Sequence, residues 1–169
     1  VRARVISHAL RDLITASDKV IIMGHKNPDM DSIGASIGIF KVAQMNQKDA
    51  YIVVNTQEID NGVKQLMAEI RNHKQLYSHI IGPEEALEIS TDKTLLVVVD
   101  THKPSLVMEE RLLNKIDQVV VIDHHRRGEE GRVRPPQRCG QTRGGFVQRQ
   151  PWQRRRNRAA LFPERHHPA

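Results

Sequence analysis

The chain has 169 residues, a formal net charge of +6, 38% hydrophobic residues and one cysteine, Cys139. That length buries one ordinary core, and a lone cysteine excludes an internal disulfide or a cysteine-based zinc cluster, in keeping with a reducing, cytoplasmic compartment. No apolar stretch approaches the roughly 20 residues of a membrane span, and the first residues lack the sections of a signal peptide, so no membrane contact is expected of this chain.

In chain order, Val5, Ile6, Ala9, Leu10, Leu13 and Ile14 share one helical face closed by Ser17-Asp18, which predicts an amphipathic opening helix. A strand follows over Lys19 to Met23. Beyond the polar block Gly24-His25-Lys26-Asn27-Pro28-Asp29-Met30-Asp31-Ser32, the stripe Ile33, Ile37, Phe40 and Gln44 predicts a helix to about Gln47 with Ser32 or Asp31 as its N-cap. Tyr51 to Val54 reads as a strand and Gly62 to about Asn72 as a helix. Ser78 to Ile81 reads as a short strand, and Pro83 to Ile89 as a helix with proline at its first position. Thr94 to Val99 is a β-branched and apolar run ending at Asp100, Ser105 to Asn114 is expected as one helix, and Gln118 to Ile122 is the last strand. The alternation predicts an α/β fold, a parallel sheet flanked by helices with right-handed crossovers.

The charge divides the chain near residue 130. Residues 1–130 hold 16 Lys+Arg against 19 Asp+Glu, whereas 131–169 hold 10 Arg, no Lys and one acid, so the basic character belongs to the tail. Pro135-Pro136, Gly144-Gly145 and Arg154-Arg155-Arg156 interrupt any periodicity there, and disorder is the expectation.

Acids and histidines gather after three of the strands: His25, Asp29 and Asp31 after the first, Asp100 after the fourth, and Asp123-His124-His125 after the fifth. Ligands of open α/β sheets collect just beyond the carboxyl ends of the strands, so these residues are placed to converge. Carboxylate oxygens mixed with imidazole suit manganese, magnesium or iron better than a structural zinc. Two cations about 3.5–4 Å apart sharing a carboxylate would activate water against a phosphorus ester. Each position also has a plainer use: Asp31 as an N-cap, Asp100 as an acceptor for loop amides, and the His pair as one buried and one solvated ring. Gly34 and Gly38 are expected to let their helix pack closely on the sheet. Lys26, Lys103, Arg126 and Arg127 are solvated bases or phosphate contacts, with the two arginines beside the His pair better placed for phosphate. His102 stays open, and His8, His73, His79, His166 and His167 carry no expected role.

The pattern of His25, Asp29, Asp31-Ser32 and Gly34, with the strand-end Asp100 and the block Asp123-His124-His125, resembles the DHH phosphoesterase family. Val99-Asp100-Thr101-His102-Lys103-Pro104 and Asp123-His124-His125-Arg126-Arg127-Gly128 look like the GdpP/YybT-type cyclic-di-AMP phosphodiesterases within it, over residues 1 to about 130. The resemblance implies two Mn2+ ions, with Mg2+ or Fe2+ as alternatives. His25, Asp29 and Asp100 would hold one, and Asp31, Asp100 and His124 the other, Asp100 bridging. His125 would sit by the scissile phosphate, Asp123 would orient its neighbours, and Arg126 and Arg127 would contact substrate. It implies hydrolysis of a cyclic dinucleotide, cyclic di-AMP, to pApA in second-messenger signalling. The parent protein would be membrane-anchored with this domain facing the cytosol, and a homodimer is compatible with the family.

On this reading residues 1–18 are a connector helix, 19–130 a partial DHH domain and 131–169 a non-native tail. A further metal-binding aspartate and a glycine-rich second domain of the family have no counterpart after Asp123. The expectation is therefore a C-terminally truncated chain with impaired activity and a frameshift near codon 130. Alternatives on the same fold are a nanoRNase or pAp phosphatase, a RecJ-type exonuclease and a pyrophosphatase. A non-enzymatic alternative is an inactive domain whose Arg-rich tail binds nucleic acid, although Phe146, Trp152 and Phe162 are its only aromatic residues for stacking.

Overall fold

A computed structural model of the chain describes residues 2–57 and 59–123. Five parallel strands form one sheet in the order β3-β2-β1-β4-β5. They are β1 (Val20–Met23), β2 (Ala50–Val53), β3 (Ile80–Ile81), β4 (Leu95–Val99) and β5 (Gln118–Ile122). The helices between them are α1 (Arg2–Ala16), α2 (Met30–Met45), α3 (Asn61–Ile70), α4 (Lys74–Tyr77), α5 (Pro83–Ile89) and α6 (Glu110–Lys115). This is the parallel α/β architecture that the sequence predicts.

The strands are apolar at nearly every position because both faces of the sheet are covered. Period-two alternation divides their side chains between two cores. Val20, Ile22, Ile52, Leu95, Val97 and Val99 pack with Leu10 and Ile14 of α1, Phe40 of α2 and Val63 and Met67 of α3. Ile21, Met23, Val53, Leu96, Val98 and Val121 turn the other way, onto Ala86 of α5 and Leu112, Leu113 and Ile116 around α6. Each fully buried branched side chain contributes about 1.5–3 kcal/mol of transfer free energy.

The helices begin where the local chemistry supplies acceptors. Asp60 accepts from the Val63 amide at 2.8 Å to cap α3, and Pro83 opens α5 with Glu84 and Glu85 in its positive first turn. For α2 the cap is Asp29 rather than Ser32 or Asp31: its Oδ1 accepts from the Ser32 amide at 2.8 Å, so the helix starts two or three residues earlier than expected. Gln47 closes the same helix with φ +57°, the left-handed turn common after a helix C-terminus. Gly34 and Gly38 do not pack on the sheet. The buried stripe of α2 is Ser32, Ile33, Ser36, Phe40 and Ala43, and the two glycines lie exposed on the opposite side, where an added Cβ would meet nothing within 4 Å.

The predicted helix over 105–114 is broken in two. A single 3-10 turn, Pro104–Leu106, is followed by Val107, which bridges to His25 in antiparallel fashion, and α6 begins only at Glu110. The cause is tertiary. Lys26 N donates to Leu106 O at 2.7 Å and Met108 N donates to Gly24 O at 2.9 Å, so the backbone groups a helix would use are engaged by the loop leaving β1.

The element order creates a switch point. From β1 the chain moves outward through β2 and β3, then returns to build β4 and β5 on the other side of β1. The loops after β1 and β4 therefore diverge to opposite faces, opening a crevice at their carboxyl ends.

Candidate metal centre

His25 and Asp29 leave β1, and Asp100 leaves β4, so all three stand at that crevice. Their ligand atoms, one imidazole nitrogen and two carboxylate oxygens, all lie within 4.8 Å of one another. His25 Nε2 is 3.4 Å from Asp100 Oδ2 and 3.8 Å from Asp29 Oδ2. Donors held about 2.0–2.2 Å from a common cation stand roughly 3–4 Å from each other, so the group fits a cation, and its nitrogen and oxygen donors suit manganese, magnesium or iron.

Each side chain is held by its own local device. His25 is fixed because the loop 24–26 is pinned on both sides to the 106–108 segment by the two backbone bonds described above. Asp29 divides its carboxylate between two tasks: Oδ1 caps α2, and Oδ2 faces His25. Its side chain is 56% exposed, whereas that of Asp100 is 4% exposed, so the group is buried on the β4 side and open on the α2 side. Asp100 takes a left-handed backbone conformation, φ +60°, which aspartate tolerates better than most residues. Its amide donates to Ile122 O at 2.9 Å, which anchors the turn to the end of β5. A strained backbone held by its surroundings is common where a side chain must be aimed.

Gly24 permits the approach of α2. A Cβ there would lie 1.9 Å from Ser32 Oγ and 3.7 Å from Val99 O, so only glycine lets the first turn of α2 rest against the ends of β1 and β4. Ser32 is itself buried, and Ser36 Oγ donates to its carbonyl at 2.8 Å. The sequence marks Gly24 only as part of a polar block; the closeness of Ser32 is what makes it necessary.

The remaining predicted residues are placed as follows. Asp31 lies in the first turn of α2, exposed and outside the His25–Asp29–Asp100 group. Asp123 follows β5 with its side chain 8% exposed, and its Oδ2 accepts a hydrogen bond from His102 Nδ1. His102, whose role the sequence leaves open, thus joins the exit of β4 to the exit of β5. Lys26 and Lys103 lie around the same loops, with Lys26 Nζ 3.5 Å from Ser105 O. His124, His125, Arg126, Arg127 and the Arg-rich segment 131–169 lie outside the described residues.

A parallel sheet ordered 3-2-1-4-5, with a hard-donor cation group at its switch point, defines an α/β domain of the kind that carries metal-dependent chemistry. The N-terminal domain of the DHH family matches residues 19–140, and the chain belongs to that family. Among curated relatives it is 67% identical to the cyclic-di-AMP phosphodiesterase GdpP of Bacillus subtilis and 54% identical to the cyclic-di-AMP phosphodiesterase PdeA of Listeria monocytogenes. Both matches run over 130 residues, 77% of this chain and 20% of the relative. A more distant relative is a manganese-dependent inorganic pyrophosphatase of Methanothrix thermoacetophila, 27% identical over 67% of this chain and 32% of the relative. The chain spans about one fifth of the length of the two phosphodiesterases. Among the described residues, no helix is long and apolar enough to cross a membrane.

Proposed function

We propose that the domain forms part of a manganese-dependent phosphodiesterase that hydrolyses cyclic di-AMP to pApA. The observation that carries this reading is the convergence of His25, Asp29 and Asp100 at the switch point, in a chain whose close relatives are cyclic-di-AMP phosphodiesterases. In this reading those three side chains hold one cation, and Asp31, Asp100 and His124 hold a second. When bound, the cations supply Lewis-acid polarisation of a phosphoryl oxygen and a more acidic water.

The protein's own residues supply geometry. Asp100, nearly buried, is the rigid donor, and its place between β1 and β5 suits it to serve both sites. Asp29 is exposed, and a substrate phosphate would enter from its side. His125 would stand beside the scissile phosphate, with Arg126 and Arg127 contacting its oxygens. One phosphodiester of the cyclic dinucleotide gains the elements of water: a P–O bond forms to the attacking oxygen, the bond to the ribose 3′ oxygen breaks, and that oxygen takes up a proton. The linear product keeps a 5′ phosphate.

The parent protein is proposed to be membrane-anchored, with this domain in the cytoplasm, and a homodimer is compatible with the family. The test is incubation of the purified chain and manganese with cyclic di-AMP, pApA and pyrophosphate, followed by chromatography. Appearance of pApA from cyclic di-AMP supports the proposal. Preferential cleavage of pyrophosphate would reassign the site to pyrophosphatase chemistry, and manganese binding without turnover of any of the three would leave a metal-binding domain that does not catalyse.

A further inference from the structure

A second carboxylate–imidazole pair stands beside the cation group. His102 Nδ1 and Asp123 Oδ2 are hydrogen-bonded, and because a carboxylate only accepts, Nδ1 is the donor. Asp123 is largely removed from water, whereas the ring of His102 is about one third exposed. A carboxylate so buried is costly unless it is paired, and His102 supplies a partner from a different strand.

The position of the pair gives it a consequence. His102 lies two residues beyond Asp100, and Asp123 directly follows Ile122, whose carbonyl accepts from the Asp100 amide at 2.9 Å. The exits of β4 and β5 are thus laced twice, once through the backbone and once through these side chains. The first bond is made by Asp100 in its left-handed conformation, and the second joins the residues just beyond each strand. The third loop of the site, 24–26, is tied to the same β4 exit through Leu106 and Met108.

We propose that His102 is a positioning residue for the metal centre: by donating from Nδ1 to Asp123 it holds the end of β5 in register with the Asp100 carboxylate. The proposal rests on the metal-centre reading above. Partners hydrogen-bonded directly to a ligand change metal affinity by about 10–100-fold when removed, and His102 acts one step further out, through Asp123, so its effect should fall at or below the lower end of that range.

The discriminating feature is which nitrogen matters. An asparagine at 102 places its amide NH2 near the position of Nδ1, whereas a glutamine places it near Nε2. With the full 169-residue chain, manganese affinity is measured by isothermal titration for wild type, His102→Ala, His102→Asn and His102→Gln, with thermal melts to confirm folding. The expected result is a weakening of up to about 10-fold for alanine and glutamine and recovery of most of that loss by asparagine. Nitrogen NMR of the imidazole should show the Nδ1–H tautomer of His102 in the wild type, and its loss in Asp123→Asn. Affinity unchanged in His102→Ala, asparagine as weak as alanine, or an Nε2–H tautomer would each overturn the proposal while leaving the metal centre standing. If the alanine variant does not fold, the asparagine–glutamine comparison decides. A wild-type chain that binds no manganese would instead overturn the underlying reading, and the positioning role with it.

Discussion

His25 Nε2 and Asp100 Oδ2 are 3.4 Å apart, although one residue leaves the first strand of the sheet and the other the fourth. They meet because β1 and β4 are neighbours in the sheet despite the two strands inserted between them in sequence, the register pairing Met23 with Val98. Replacing Asp100 by asparagine keeps the shape and removes the charge. The expected outcome is loss of manganese affinity by more than about 100-fold, beyond the range of outer partners, measured by titration calorimetry on a chain whose circular dichroism is unchanged.

Asp29 separates two roles within one carboxylate. Asparagine caps helices about as well as aspartate, whereas alanine costs about 1 kcal/mol. Asp29→Asn should therefore melt close to wild type yet bind manganese weakly, and Asp29→Ala should lose both affinity and about 1 kcal/mol of stability in denaturant unfolding. Equal affinity of Asp29→Asn and wild type would remove Asp29 from the cation group.

Gly24→Ala tests the close approach of α2. The added methyl must displace Ser32 Oγ from a distance of 1.9 Å, and Ser32 is buried with little room to retreat. Overpacking of this kind costs about 1–3 kcal/mol, seen as a lowered denaturation midpoint. Because Ser32 belongs to the turn that carries Asp29, metal affinity should fall as well. Trimming the neighbour in the double variant Gly24→Ala, Ser32→Gly should recover part of the loss.

Acid should weaken the fold through two carboxylates outside the His25–Asp29–Asp100 group. For Asp18 burial acts to raise the carboxyl pKa, but hydrogen bonds from Thr91, Lys19 and Thr94 outweigh it and hold the group below its ordinary value. Glu109, which caps α6, is lowered chiefly by its hydrogen bond from Arg111. A depressed folded-state pKa means stabilisation that is complete above the unfolded value, about 4, and is lost as pH falls through the folded value. Thermal midpoints should therefore hold from neutral pH down to about 5 and fall below about 4. Asp18→Asn, which keeps the shape but loses the charge, should lower the neutral midpoint by about 1 kcal/mol in stability and flatten the acid decline.

Much of the architecture can be read from the chain because local chemistry and global fold agree. The five apolar runs are strands since both of their faces are covered, and proline at Pro83 and the acid Asp60 open helices where such residues ordinarily do. The failures fall where a tertiary contact overrides a local preference. The stretch 105–114 has the composition of a helix, but its backbone is taken by Gly24 and Lys26. Gly34 and Gly38 resemble a packing face, yet α2 turns Ile33, Ser36 and Phe40 to the sheet instead.

By itself the sequence determined the strands, their parallel arrangement and the residue types after each strand, because period-two and 3.6-residue patterns and hard-donor chemistry are local properties. Only the tertiary structure decided which of those residues meet. The order β3-β2-β1-β4-β5 sets His25 beside Asp100, and the ends of β4 and β5 bring His102 to Asp123. No spacing along the chain encodes either distance. Both follow from a strand that returns to the opposite side of β1 and carries its exit loop across the switch point.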